Sequence, residues 1–303
     1  MKKIGVIGNG FVGSAIAEGF KHYSDVKIYD SNPIRSPHTL DECLNQDFIF
    51  VCVPTPMNIE DGKCDLTYIE NTFNSAQSVS KNSIFIIKST IPVGTTSYLK
   101  SKFPNLDIIH SPEFLTARTA KIDFITPSRV IVGYPKEFYS KMHAIPNQVL
   151  NLFEERFPGL NYIMMNSEES ELVKYTANCF FATKVSFFNE IKLLSDKLDC
   201  NFDSLMEGVL SDGRIGISHY QVPGHDNKPG FGGTCFPKDI NSLIHTMKKN
   251  NINPNVLEGA WKTNIEVRPE KDWENFESAV SKNQTKFDSI NGDDISGCGH
   301  DHV

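Results

Sequence analysis

The sequence predicts an α/β protein in two parts: an N-terminal domain of strands and helices around a parallel sheet, then an all-α central domain with one long helix. Three observations predict it. Short apolar runs alternate with helical patterns through the first half, as βαβ units do. A glycine-rich turn, "GNGFVG" (8–13), directly follows the first of those runs. From Ser167 to about Leu198 there is no Gly or Pro, and apolar residues fall on more than one face.

In order, "KIGVI" (3–7) reads as a buried strand, and the glycine turn leads into a helix over 10–22. "VKIYD" (26–30), "DFIFVCV" (47–53) and "SIFIIKS" (83–89) are further strands, with helical patterns near 38–45 and 67–80. "LDIIHS" (106–111) and "RVIVGY" (129–134) continue the sheet. Residues 136–157 read as mostly helical with an interruption at Pro146, and "NYIMMN" (161–166) as the last strand. Asn166 or Ser167 can cap the long helix, and Glu168, Glu169 and Glu171 load its first turns with negative charge. Then come a helix over 202–210, a polar loop (211–234), and helices over 237–250 and 253–268. The expected divisions are 1–166, 167–270 and a polar tail, 271–303, expected to be disordered. The long helix carries more apolar surface than a small domain can cover, which predicts a homodimer through it.

The net charge of −7 argues against a nucleic-acid or membrane-surface role driven by charge. No apolar run is long enough to span a bilayer, and "MKKIGVIGNG" lacks a signal peptide's long apolar region. Seven cysteines without framework spacing read as reduced thiols of a cytoplasmic protein.

Gly8-x-Gly10-x-x-Gly13 sits between a strand and a helix, and Asp30 ends the next strand 17 residues past Gly13. This is the Rossmann-type dinucleotide fingerprint, with the helix N-terminus aimed at the phosphates. Asp30 would accept from ribose hydroxyls and repel a 2′-phosphate, which favours NAD over NADP. Arg35 either touches the adenosine end or is a solvated arginine. In "GFGGTCFPKD", Cys235 precedes Pro237 at the start of a helix. The helix N-terminus and Lys238 would lower its pKa, making it a candidate nucleophile, whereas the other six cysteines read as structural. Lys174 and Asn178, at i and i+4, share a helix face; they are either oxyanion donors or a solvated stripe. Glu113, in "HSPEFL", is a candidate acid or base. Cys298, His300 and His302 could touch a metal, but a floppy tail is a poor cage, and no metal is expected.

Several stretches together resemble the UDP-glucose/GDP-mannose dehydrogenase family: "IGVIGNGFVG", "VCVPTP", "IKSTIPVGT", "SPEFL", "PSRVIVG", "ELVKYTAN", "RIG" and "GFGGTCFPKD". "STIPVGT" and "ELVKYTAN" resemble its UDP-glucose branch more than its GDP-mannose branch. The resemblance implies NAD-dependent, four-electron oxidation of UDP-glucose to UDP-glucuronate through a Cys235 thiohemiacetal and thioester. The alternatives are a dehydrogenase of another nucleotide sugar and a non-catalytic NAD-binding chain. By resemblance, Asp239 and Lys174 assist proton transfer through water, Asn178 holds the reacting oxygen, and Glu113 serves thioester hydrolysis. Thr90 lies near the nicotinamide and the catalytic water. Gly8, Gly10, Phe11, Val12, Gly13, Asp30, Arg35, Thr55, Thr90 and Lys238 are implied on the cofactor side. Glu113, Phe114, Leu115, Thr116, Lys174, Asn178, Tyr220, Gln221 and Gly232 are implied on the substrate side. Arg214 is implied to reach the substrate from a partner subunit.

Two departures stand out. After "PEFL" the family usually has a second glutamate, and here Ala117 stands in its place. The chain is expected to be a short form lacking the C-terminal UDP-binding domain. Its loop 219–230 is also longer than usual, and His225 and Lys228 are candidate replacements for lost diphosphate contacts.

Overall fold

The computed structural model describes residues 1–79, 82–136 and 144–281. Its frame is a seven-stranded sheet in the order β2-β1-β3-β5-β6-β7-β8. The strands are β1 (Lys2–Ile7), β2 (Ser24–Tyr29), β3 (Phe48–Val51), β5 (Ile84–Ile87), β6 (Asp107–His110), β7 (Arg129–Tyr134) and β8 (Asn161–Asn166). The near-continuous apolar runs of β1, β3, β5, β6 and β7 follow from burial on both faces. Phe48, Phe50, Ile84 and Ile86 enter one core with α1 (Phe11–Phe20), α5 (Ala120–Ile125) and α6 (Ala144–Arg156). The residues between them, Ile49, Val51, Phe85 and Ile87, enter a second core with α2 (Leu40–Leu44), α3 (Thr67–Val79) and α4 (Thr95–Lys102). This is the two-residue period of a pleated strand.

The pairs β2-β1-β3-β5-β6 are parallel, as expected. β7 departs from the expected parallel sheet: it runs antiparallel to β6 and pairs in parallel with β8. The only helix between β6 and β7 is α5, with six residues, too short to carry the chain back along the sheet for a parallel return. In α6, Pro146 falls in the first turn, where a missing N–H costs nothing. Residues 137–143 of the longer helix expected there lie outside the described residues.

β8 runs directly into α7 (Ser167–Lys197), whose entry is fixed by the Asn166 N–H donating to Glu169 Oε2 at 2.9 Å. α8 (Phe202–Leu210), α9 (Phe236–Lys249) and α10 (Asn255–Val267) complete the helical part. Cys179, Ala182, Phe231, Ile240, Ile244 and Ala260 form its core.

The expectation of a disordered tail from 271 fails for its first residues. Asp272–Asn275 form a 3₁₀ turn, and β9 (Val280–Ser281) pairs in parallel with β4 (Met57–Asn58) of the N-terminal part. The reason is burial: Trp273, Ala279 and Val280 pack with Met57. Residues 282–303, with Cys298, His300 and His302, lie outside the described residues. Among those described, no helix is long and apolar enough to cross a membrane, and no group of three or more His, Cys, Asp and Glu side chains could hold a metal.

Candidate active site

The glycine turn lies at the carboxyl end of β1, where the crossovers toward β2 and β3 diverge, the usual ligand position in such sheets. Each glycine has its own reason. Gly8 has φ +93°, and an added Cβ would meet Cys52 O at 2.6 Å. A Cβ on Gly13 would lie 1.9 Å from Gly8 O. Gly10 faces open space, which leaves the helix N-terminus approachable by a pyrophosphate. Asp30, at the end of β2, accepts from Asn9 N–H (2.7 Å) and Asn32 N–H (2.8 Å), so its carboxylate also shapes the turn. Arg35 sits 3.6 Å from that carboxylate, and its carbonyl accepts from the Asn9 side chain. Thr55 Oγ1 donates to Thr90 O at 2.7 Å, joining the loops after β3 and β5. Phe11 and Val12 open α1 half-buried. The turn, Asp30 and the Thr55–Thr90 link fit a dinucleotide.

The second half of the site spans the two parts of the chain. Lys174 on α7 pairs with Glu113 from the loop after β6, Nζ to Oε1 at 2.9 Å, both nearly fully buried. The other Glu113 oxygen accepts from Leu115 N–H at 2.6 Å. One turn along α7, Asn178 Nδ2 donates to Asp239 Oδ2 at 2.6 Å. The second Asp239 oxygen is held by Lys238 Nζ. Burial alone would lower the Lys238 ammonium's pKa, but Asp239 and Cys235 beside it raise it above its ordinary value. Phe114 lies under both Lys174 and Arg129 (5.6 and 4.0 Å to the ring centre).

Cys235 stands at the N-cap of α9, within the electrostatic reach of Lys238, Glu113, Asp239 and Lys174. Its thiol does not shift in the expected direction. Burial pushes its pKa up, and Lys238 opposes this only in part. Cys43, Cys52 and Cys64 are pushed up to about 12 by burial and remain thiols.

The remaining substrate-side residues are not all brought together. Thr116 is exposed and its N–H donates to Asp123 Oδ2 at 2.7 Å. The Tyr220 ring packs against Phe188, and Gln221 is exposed. Gly232 lies against Arg268: a Cβ there would sit 2.5 Å from the guanidinium. Arg214 is 90% exposed and paired with Asp212. Lys228 does not reach toward the site; Glu270 engages it at 3.0 Å.

One buried cation beside Glu113 escaped the sequence reading. Lys88, at the carboxyl end of β5, donates to Ser111 Oγ (3.2 Å) and Pro112 O (3.1 Å) and lines a cavity of about 310 Å³ with Glu113. Burial lowers its pKa to about 8, against Cys52 and Glu113. The signal was available: a lysine directly after four apolar residues, at the end of a strand where sites form.

Fold and site define a class: a Rossmann-type nucleotide-binding sheet joined to a helical part, with a cysteine, a lysine, an amide and carboxylates at the junction. Comparison with known proteins makes this specific. Residues 30–150 match the NAD binding domain, and residues 168–266 the central domain, of the UDP-glucose/GDP-mannose dehydrogenase family. The chain belongs to that family. It is 34% identical over 233 residues to a UDP-glucose 6-dehydrogenase of Rickettsia prowazekii, covering 75% of this chain and 51% of that protein. A UDP-glucose 6-dehydrogenase of Campylobacter jejuni is 34% identical over 200 residues (66% and 48% covered). The chain thus spans about half the length of the curated relatives it matches. Among solved structures, a UDP-glucose dehydrogenase from Pyrobaculum islandicum superposes with a TM-score of 0.74 at 25% identity, covering 88% of this chain and 68% of that one.

Proposed function

We propose that the chain oxidises the C6 alcohol of UDP-glucose to a carboxylate through a covalent intermediate on Cys235. The observation that carries the reading is the Glu113–Lys174 and Asn178–Asp239 pairs within the field of one N-cap cysteine. The glycine turn, Asp30 and Thr55 hold the cofactor; when bound, NAD supplies the hydride acceptor for both oxidations. In the first, the alcohol proton leaves through water to Asp239, with the Lys174 ammonium assisting the transfer, as the carbon loses hydride. The Cys235 sulfur then adds to the aldehyde carbon and its proton passes to the oxygen, giving a thiohemiacetal. The Lys174 ammonium and the Asn178 amide stabilise negative charge on that oxygen. Loss of a second hydride and the hydroxyl proton leaves a thioester. Water, oriented by Glu113, cleaves its C–S bond and returns the thiol. Because burial raises the Cys235 pKa, sulfur attack is coupled to proton transfer and does not start from a standing thiolate.

The experiment is NADH formation by the full chain with UDP-glucose and NAD. The expected yield is about two NADH per sugar, with no sustained turnover by Cys235→Ala. A wild-type chain that binds NAD but forms no NADH with UDP-glucose rejects the reading.

A further inference from the structure

The segment that presents Cys235 is held by side chains with no part in the proposed chemistry. Asn264 on α10, fully buried, grips Phe231 from both sides. Its Oδ1 accepts from Phe231 N–H at 2.7 Å, and its Nδ2 donates to Phe231 O at 3.0 Å. Asn189 of α7 accepts from Gly230 N–H at 3.0 Å. One turn beyond Asn264, the buried Arg268 donates to Pro229 O at 3.3 Å and to the carboxylates of Asp226 and Asp272, each at 2.6 Å. The fit leaves no slack. A Cβ on Gly230 would lie 2.5 Å from Asn264 Oδ1, and one on Gly232 would lie 2.5 Å from Arg268 Nη2.

An amide that both accepts from and donates to one residue's backbone acts as a strand neighbour would, and fixes that residue's plane. Here it fixes Phe231, four residues before the cysteine. Arg268 then crowds Gly232, which leaves Gly233, at φ +72°, between the clamped segment and Thr234 and Cys235. We infer that Asn264 and Arg268 are positioning residues for Cys235: the end of α10 sets the backbone of residues 229–232, and through it the place of the sulfur opposite Lys174 and Asn178. The catalytic consequence rests on the proposed function; the effect on the thiol does not.

The test uses the full chain. The alkylation rate of Cys235 by iodoacetamide is read by mass spectrometry, with the exposed Cys200 as internal control. kcat and KM for UDP-glucose are measured beside it. Asn264→Leu removes both bonds at similar volume. The sulfur should become more accessible, and its alkylation should rise about five- to tenfold relative to Cys200. kcat should fall about 100-fold with KM within about threefold, the signature of a misplaced reacting group. A merely structural role would lower the melting temperature but leave the Cys235-to-Cys200 ratio unchanged. Asn264→Asp keeps the acceptor for Phe231 N–H and loses the donor; it should move the ratio about two- to fivefold, and it carries the test if the Leu variant does not fold. An unchanged ratio in whichever variant folds overturns the inference. If the wild type oxidises no sugar, the proposed function falls, and the alkylation ratio still decides the role of Asn264.

Discussion

His110 is fully buried beneath the site, with Nδ1 2.7 Å from Ser170 Oγ and no partner for Nε2. Gly133 makes that contact possible, since a Cβ there would lie 2.4 Å from Ser170 Cβ. A charged imidazole needs two acceptors, and besides Ser170 Oγ only the Ser89 backbone favours that form. Burial, reinforced by Lys88 and Lys174, pushes its pKa down to about 3. Between pH 6.5 and about 3, the unfolded chain binds a proton that the folded histidine refuses, so stability is lost as pH falls through that window. The loss is on the order of 5 kcal/mol at the acid end. His110→Asn should flatten the fall in urea midpoint between pH 6.5 and 4 relative to wild type; parallel curves would refute the assignment. Such a residue was hard to read from "HSPEFL", because burial depends on the opposing strand. The motif residues fared differently. The spacing of Lys174 and Asn178 gave their common face, but their partners Glu113 and Asp239 lie about 60 residues away in opposite directions along the chain. The direction of the Cys235 shift was missed because helix position and charge are legible in sequence and depth is not.

α4 begins at Gly94, in the left-handed region at φ +92°, and its first N–H groups have no partner within the helix. Glu171 of α7 supplies one. Its Oε2 accepts from Gly94 N–H at 2.6 Å, and its Oε1 from Thr96 N–H at 2.8 Å and Thr96 Oγ1 at 2.5 Å. Burial raises the Glu171 pKa to about 8 against those three donors. Because Glu171 lies one turn before Lys174, the clamp also fixes how α7 meets the loop after β5. Glu171→Ala leaves two backbone donors unpaired and should cost about 2–4 kcal/mol, read as a lower urea midpoint at constant slope. A loss below about 0.5 kcal/mol would show that water replaces the carboxyl without penalty. α4 itself escaped the sequence reading because Leu99 is its one large buried apolar residue and no helical stripe appears. Strands buried on both faces announced themselves, as did α7. The turn and strand after residue 271 did not, since Trp273, Phe276, Ala279 and Val280 follow no helical or strand period and the partners of the buried ones, Met57, Trp261 and Ile265, are scattered along the chain.

Over the whole molecule, α7 carries an apolar seam that the described residues do not cover. Phe180, Phe187 and Leu194 recur every seven residues and are 64%, 54% and 54% exposed; Leu198 continues the row at 62%. A seven-residue repeat on a helix about 46 Å long matches the seam of a helix pair. An isologous dimer through α7 is therefore the proposed assembly. It also gives a use to Arg214, which is exposed and held in a loop that Lys184 ties to α7 through the carbonyls of Ile215 and Gly216. Phe187→Asp should give a chain of half the native mass by sedimentation. If Arg214 serves the partner's site, the stronger test is complementation. Arg214→Ala and Cys235→Ala chains should each be nearly inactive alone. Unfolded and refolded together in equal amounts, half of the dimers are hybrids, and each hybrid has one site with both native residues. About a quarter of wild-type activity should return, without any wild-type chain present. If Arg214 acts within its own chain, every site in the mixture lacks one residue and no activity returns. Recovery thus requires both the dimer and the shared site, and its absence from a mixture shown to contain hybrids places Arg214 in its own subunit.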